Sequence, residues 1–352
     1  MNYLFCLVLL FQISLNANDD IKALNKKGAD YLISIQNKDG SYGKYKSPAI
    51  AALCAVGLHK SNASDTAKRD AAIKAAMKFV LKNAQANGGI YTFRNKVPQY
   101  ANYTTAISLM AMATIGNKEY IPVMQKARKY LKSVQHSDDQ SKNFGGFGYG
   151  AEKKSADVSN SAWAAEALHI SEYVDKEPFS KDANAEKVNS ENWKKLEAFL
   201  KKCQNIKIKD GKQVEGDGGF VYELDGSALV SSGNMTYAGL KSMLYAKVDR
   251  SDPRVKGAMK YIQKNYTVSE NPGKKMVGYF YYLMTMSKAL NAYGQKELTV
   301  NKKKINWRND LIKVFKDMQN KDGSWINKQG SHMESMPELA TAYALVTLNN
   351  CK

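Results

Sequence analysis

The sequence predicts an all-α protein built as a closed ring of six helical hairpins, an (α/α)6 toroid, and three observations carry that reading. Gln36-Asn37-Lys38-Asp39-Gly40-Ser41 returns unchanged near the other end as Gln319-Asn320-Lys321-Asp322-Gly323-Ser324, each copy followed by an aromatic residue, Tyr42 or Trp325. Gln85, Gln135, Gln204 and Gln263 stand between them about every 50 to 70 residues, as in a repeat array. Each copy joins a Lys-rich amphipathic segment, through a Gly-aromatic turn, to a second segment of small and apolar residues.

Residues 1–17 carry no charged side chain, hold an apolar run from Leu4 to Phe11 and end at the small Ala17. They read as a secretory signal peptide, although no basic residue precedes the run, because the run is shorter than the roughly 20 residues of a membrane span. Residues 18–352 then form a single domain of six repeats, expected to be secreted or periplasmic.

The first segment of each copy reads as a helix with one apolar stripe. Ala29, Leu32 and Ile33 mark it in copy one, Ile73, Met77 and Val80 in copy two, Leu196, Phe199 and Leu200 in copy four, and Leu311, Val314 and Phe315 in copy six. These are outer helices, wet on one side. The second segments, Pro48–Leu58, Asn102–Ile115, Val158–Ile170, Asn234–Ala246, Tyr279–Tyr293 and Pro337–Leu348, are apolar or small nearly all round, so they belong inside. An open solenoid would leave one inner face bare and would need polar caps; a closed ring needs neither and sets copies one and six side by side. The charged insertions Glu172–Asn189 and Ile206–Glu215 are expected to be surface loops.

The net charge of +19 is concentrated on the first segments, as in Lys74, Lys78 and Lys82. A basic outer ring suits either plain solvation or loose association with an anionic polymer or a membrane surface. Nucleic acid is not an expected partner, since no recognition motif accompanies the charge. Removal of the signal peptide takes Cys6 and leaves Cys54, Cys203 and Cys351, which have neither disulfide-framework nor zinc spacing. No metal or cofactor is expected, and the oligomeric state is left open.

The sixfold Gln-x-x-x-Gly-x-aromatic unit resembles the QW-type repeat of the terpenoid-cyclase and protein-prenyltransferase α/α toroids, most clearly the C-terminal half of squalene-hopene cyclases. Gly216-Asp217-Gly218-Gly219-Phe220 and Asn234-Met235-Thr236-Tyr237 resemble a bacterial exported subgroup of prenyltransferase/squalene-oxidase-repeat proteins. In that family the Gln amide and the aromatic ring tie one hairpin to the next. The resemblance implies two chemistries, and the residues depart from both. Class II cyclases protonate an alkene with Asp-x-Asp-Asp at the head of an inner helix, where this chain has Asp157-Val158-Ser159-Asn160. Zinc prenyltransferases use Asp-x-Cys, where the nearest match is Asn234-Met235-Thr236, and a His on the last inner helix, which Pro337–Leu348 lacks. Neither Cys54-Ala55-Val56 nor Cys203-Gln204-Asn205 is the Cys-Gly-Glu-Gln of complement-type thioester domains.

Asp157 is then either a leftover acid or the cap of the helix that begins at Val158. Tyr103, Trp163, Tyr237, Tyr281 and Tyr343 lie on inner helices and are candidates to line a central cavity for an apolar, isoprenoid-like ligand. Arg94, Asp217 and Glu223 form the alternative, a polar site for binding or cleaving an anionic polysaccharide; a scaffold without a ligand is a third reading. Any reaction would be of lyase or cyclase-like isomerase type, without the usual acid motif.

Overall fold

The computed structural model describes residues 2–150, 155–226, 229–329 and 331–352, with side chains from Asn18 onward. The signal-peptide reading falls on residues 1–17 and so lies outside the described side chains. Twelve α-helices alternate between two concentric rings. The outer ring holds α1 (Asn2–Ser34), α3 (Thr66–Lys82), α5 (Ile121–Val134), α7 (Ala185–Cys203), α9 (Pro253–Asn265) and α11 (Trp307–Met318). The inner ring holds α2 (Pro48–His59), α4 (Ala101–Ile115), α6 (Val158–Ile170), α8 (Gly233–Tyr245), α10 (Tyr279–Tyr293) and α12 (Pro337–Asn350). Each inner helix packs on the next, and α12 packs back on α2, so the ring is closed.

Composition explains the two layers. Every residue of α2 from Pro48 to Leu58 is buried, whereas α11 buries only Trp307, Leu311, Ile312 and Phe315 along one stripe. Hairpin connectivity collects the loops that follow the outer helices at one end of the ring, around the amino termini of the inner helices. We call this end the mouth.

The repeat motif is a clasp between neighbouring hairpins. Gly40, Gly88, Gly145, Gly218 and Gly323 have φ between 81° and 90°, and a Cβ on any of them would lie 1.7–2.4 Å from a carbonyl oxygen of the next outer helix. Only glycine permits both the left-handed conformation and the approach. Beside it, the Gln36 amide donates to Gly40 O at 3.2 Å and to Ala72 O of α3 at 2.9 Å. Gln135 repeats the pair on Gly145 O and Asn192 O, and Gln204 on Gly218 O and Arg254 O. Gln319 closes the ring, donating to Gly323 O and to Leu24 O of α1 at 3.1 Å. The turn also reaches inward: the backbone N–H groups of Ile90, Phe147, Phe220 and Trp325 donate to Thr105, Ser161, Thr236 and Thr341 on their inner helices.

Two copies depart from the expected register. In copy two Ala84 stands where the clasp glutamine belongs; Gln85 is one position later, and its side-chain amide donates to Asn83 O and Tyr91 O. In copy five the residue after α9 with the backbone angles of Gln135 and Gln319 is Tyr266, not Gln263. Its phenol donates to Asp310 Oδ2 on α11 at 2.8 Å and so makes the same link by another donor. The insertions are also more ordered than loops. Residues 207–215 form an antiparallel hairpin, β3 (Lys207–Lys209) with β4 (Lys212–Glu215), matched by β1 (Phe93–Arg94) with β2 (Val97–Pro98) and by β5 (Leu298–Val300) with β6 (Lys303–Ile305). The other insertion folds into a 3-10 turn at Glu172–Asp175 and then the start of α7.

Two glycines separate conformation from contact. Gly211, at the tip of the β3–β4 hairpin, has φ +71° with open space around a Cβ, whereas Gly323 has φ +89° and Lys27 O at 2.4 Å. Gly211→Ala should cost about 1 kcal/mol in urea unfolding, and Gly323→Ala about 3 kcal/mol or more, because the turn must also leave α1.

Candidate functional site

Asp157 sits at the head of α6, fully buried. Its Oδ1 accepts the Asn160 backbone N–H and its Oδ2 the Asn160 side-chain amide, both at 2.8 Å. Its own N–H donates to Phe147 O, and the next N–H, of Val158, donates to Tyr222 O. A carboxyl whose two oxygens both accept N–H bonds is a helix cap in its acceptor form. The two residues that follow in the motif are committed elsewhere. Ser159 Oγ donates to the Tyr281 hydroxyl at 3.2 Å, and Asn160 serves Asp157 while its Oδ1 stays buried without a partner.

Four of the five aromatic candidates meet. Tyr103 on α4 and Trp163 on α6 have ring centroids 6.1 Å apart; Trp163 and Tyr281 on α10 are 6.2 Å apart, as are Tyr281 and Tyr343 on α12. Trp163 Nε1 donates to the Tyr103 hydroxyl at 3.0 Å. These are contact distances between rings, so the four side chains form a plug across the axis. On the mouth side Tyr149 stacks on Tyr103 at 5.8 Å, and its hydroxyl meets that of Tyr222 at 3.1 Å. Tyr103 and Tyr281 stay half-buried, near the amino-terminal ends of their helices. Burial pushes the phenols of Tyr103, Tyr281 and Tyr343 well above their ordinary range. Tyr237 does not join them. It packs on Tyr282 with centroids 5.8 Å apart, and its buried hydroxyl has no partner.

Three charges adjoin Trp163 inside the ring. Glu166 on α6 accepts from Lys241 of α8 at 2.5 Å and from Lys288 of α10 at 2.6 Å. The ammonium groups stand 5.5 and 4.9 Å from the Trp163 ring. Burial alone would raise the Glu166 carboxyl, but the charges and hydrogen bonds of the two lysines outweigh it and bring it down to about 2. Burial pushes the Lys241 ammonium the other way, below its usual range. Two cations share one anion, so this layer of the ring is positive.

The model of the prenyltransferase alpha-alpha toroid domain matches residues 1–212, more than half of the chain. The chain belongs to that family. Among solved structures, the type II terpene cyclase MstE from Scytonema in its apo form shares 13% identity at a TM-score of 0.57, covering 93% of this chain and 98% of that one. An MstE variant in complex with geranylgeranyl dihydroxybenzoate, its substrate, shares 12% at 0.58, with 96% and 99% covered. A glycosidase variant in complex with glucose shares 12% at 0.52, with 95% and 97% covered. At these identities the likeness is one of fold. No curated protein sequence matches.

In this toroid the residues of the polar alternative make separate contacts. Arg94 is exposed on β1, Asp217 accepts from Gly219 N in its own turn and from Ser231 Oγ further along the same loop, and Glu223 accepts from Ser155 beside α6. Asp217 does the ordinary work of a turn aspartate. His169 stacks on Tyr245 at 4.4 Å while Glu166 serves the lysines. Among the described residues no His, Cys, Asp and Glu cluster suits a metal.

Sequence reasoning missed the charged layer and Glu334. The latter, fully buried, accepts Tyr281 N at 2.8 Å and Asn327 Nδ2 at 2.8 Å, capping α10 from the neighbouring loop. The signal for the charged layer was present: Glu166, Lys241 and Lys288 are the lone Asp, Glu, Lys or Arg of their inner helices, and a charge in an otherwise apolar helix needs a partner.

Removal of the one carboxylate tests the layer. Glu166→Gln should cost about 3 to 5 kcal/mol at neutral pH, because it leaves two buried ammonium groups unpaired. The folded value of Glu166 lies below its ordinary 4.5, so its contribution is complete above that range and lost as pH falls toward about 2. Urea unfolding of wild type and variant should therefore converge in acid.

Proposed function

We propose that this protein binds an apolar, isoprenoid-like molecule at the mouth of the ring and does not cyclise it. The observation that carries the reading is the state of the cyclase acid position: both oxygens of Asp157 are taken by Asn160, with Ser159 and Asn160 where further acids would stand. The interior adds a second reason. A carbocation stabilised by aromatic faces would have to approach Trp163, which already faces two ammonium groups. Support for the ligand class comes from the fold shared with MstE, whose substrate complex holds a geranylgeranyl compound, and from the half-buried faces of Tyr103 and Tyr281. The ligand lies over the plug, not within a central void.

The polysaccharide reading keeps the fold likeness to a glycosidase, but Asp217 is engaged as a turn aspartate and Glu223 with Ser155. We place the protein outside the cytoplasm, on the strength of its first 17 residues.

Native mass spectrometry of the protein from its own host, with organic extraction, should recover a stoichiometric apolar molecule. Geranylgeraniol added to the purified protein should come back uncyclised. Tyr281→Ala should weaken its binding about tenfold by removing a half-buried aromatic face. Asp157→Asn should leave binding unchanged and cost about 1 kcal/mol of stability as a weakened cap. A cyclised product that depends on Asp157 would overturn the reading, and a protein that is empty and binds no isoprenoid would leave the scaffold.

A further inference from the structure

The exposed apolar side chains are not spread over the surface. Of the twelve large ones among the described residues, ten lie on the loops of the mouth; only Tyr173 and Val188 lie elsewhere. Tyr45 comes from the first loop, Phe93 and Val97 from the second, Leu229 and Val230 from the fourth, and Met333 from the sixth. Tyr45, Phe93 and Val230 are 56%, 54% and 68% exposed. Burial in the ring does not account for them, since each projects from a loop that the core does not cover.

Cations alternate with them along the chain. The first loop reads Lys44-Tyr45-Lys46, the second Phe93-Arg94-Asn95-Lys96-Val97, and the fifth Lys274-Lys275-Met276-Val277, with the charged members exposed. Lys46, Lys96 and Lys275 sit at positive φ, at the tips of tight turns. Lys46 is paired with Asp39 at 2.8 Å. A ring of apolar tips flanked by Lys and Arg is the pattern of an interfacial anchor, which needs both an apolar insertion and an attraction to anionic headgroups.

We infer that the mouth rim docks on an anionic lipid bilayer, with Tyr45, Phe93, Val97 and Val230 entering the headgroup boundary and Arg94, Lys96, Lys274 and Lys275 lying on the phosphates. The contact differs from the one expected of a basic outer ring, because it uses one end of the molecule and includes apolar side chains. It stands independently of the ligand proposal.

The test is co-sedimentation of the full chain with phosphatidylcholine vesicles and with the same vesicles doped with phosphatidylglycerol. Binding to the anionic vesicles is expected. The variant Tyr45→Ser/Phe93→Ser/Val97→Ser should weaken it about tenfold or more, and Arg94→Ser/Lys96→Ser about fivefold for each charge removed, with a shallower salt dependence. Lys74→Glu/Lys78→Glu on the outer face of α3 should change it little. All substituted side chains are exposed, and thermal melts should match wild type. Every variant carries the same amino-terminal segment, so the differences report on the rim. Rim variants that bind like wild type, binding lost with Lys74→Glu/Lys78→Glu instead, or no binding to either vesicle would overturn the inference. The vesicles contain no isoprenoid, so this outcome and the ligand experiment fail separately.

Discussion

The ring depends on a missing methyl. In five of six hairpins a glycine with φ near +85° lays its turn directly on the next outer helix, closer than any Cβ allows. That contact fixes the distance between hairpins, and the neighbouring glutamine amide fixes their register by serving both sides. The same geometry at the seam makes the fold a ring. Gln319 bonds to Leu24 O, Trp325 packs against Gly28, and Lys316 pairs with Asp20 at 2.8 Å. Copy five shows what the clasp has to supply. Without the glycine and glutamine, Tyr266 bridges to α11 by a phenol, so a donor that crosses the gap is retained although its chemistry changed.

Inside the ring, electrostatics separate this chain from the chemistry its fold hosts elsewhere. A cyclase interior must donate a proton and then tolerate a cation. Here the acid position is a satisfied cap, and the aromatic face best placed for a cation is taken by two lysines that share one glutamate. The arrangement is stable because Glu166 is ionised and doubly bonded.

The inner helices were legible because a segment buried on all sides has to be apolar all round: four of the six begin at the expected residue, and the other two, at Ala101 and Gly233, begin one residue earlier. The clasp register in copies two and five was not legible, because glutamine is common at helix ends and only the left-handed glycine shows which residue reaches the neighbour. The site was half legible. Aromatics on inner helices could be named, but their direction follows from phase. Tyr103 lies two residues before Thr105, and Trp163 and Tyr343 two after Ser161 and Thr341, the hydroxyls that face the turns. At about 100° per residue, two steps in either direction reach the opposite side of the helix, which faces the axis. Tyr237 is one step from Thr236 and points sideways into its neighbour. Glu166 and Lys241 are both five residues beyond their hydroxyls, at one level of adjacent helices, which is why they meet.

Connectivity then decides where specificity can reside. Each outer helix runs toward the mouth and each inner helix away from it, so the loops that hold the clasps also ring the mouth. The plug closes the axis beneath them. A molecule arriving at this end therefore meets loops and tyrosine faces first and the charged layer not at all, unless the plug moves. The closed ring constrains the inner helices from all sides and leaves them little freedom to vary. The loops keep theirs beyond the turn, and it is there, in segments such as Phe93 to Val97, that this chain places exposed apolar side chains instead of the polar ones a solvated loop would carry.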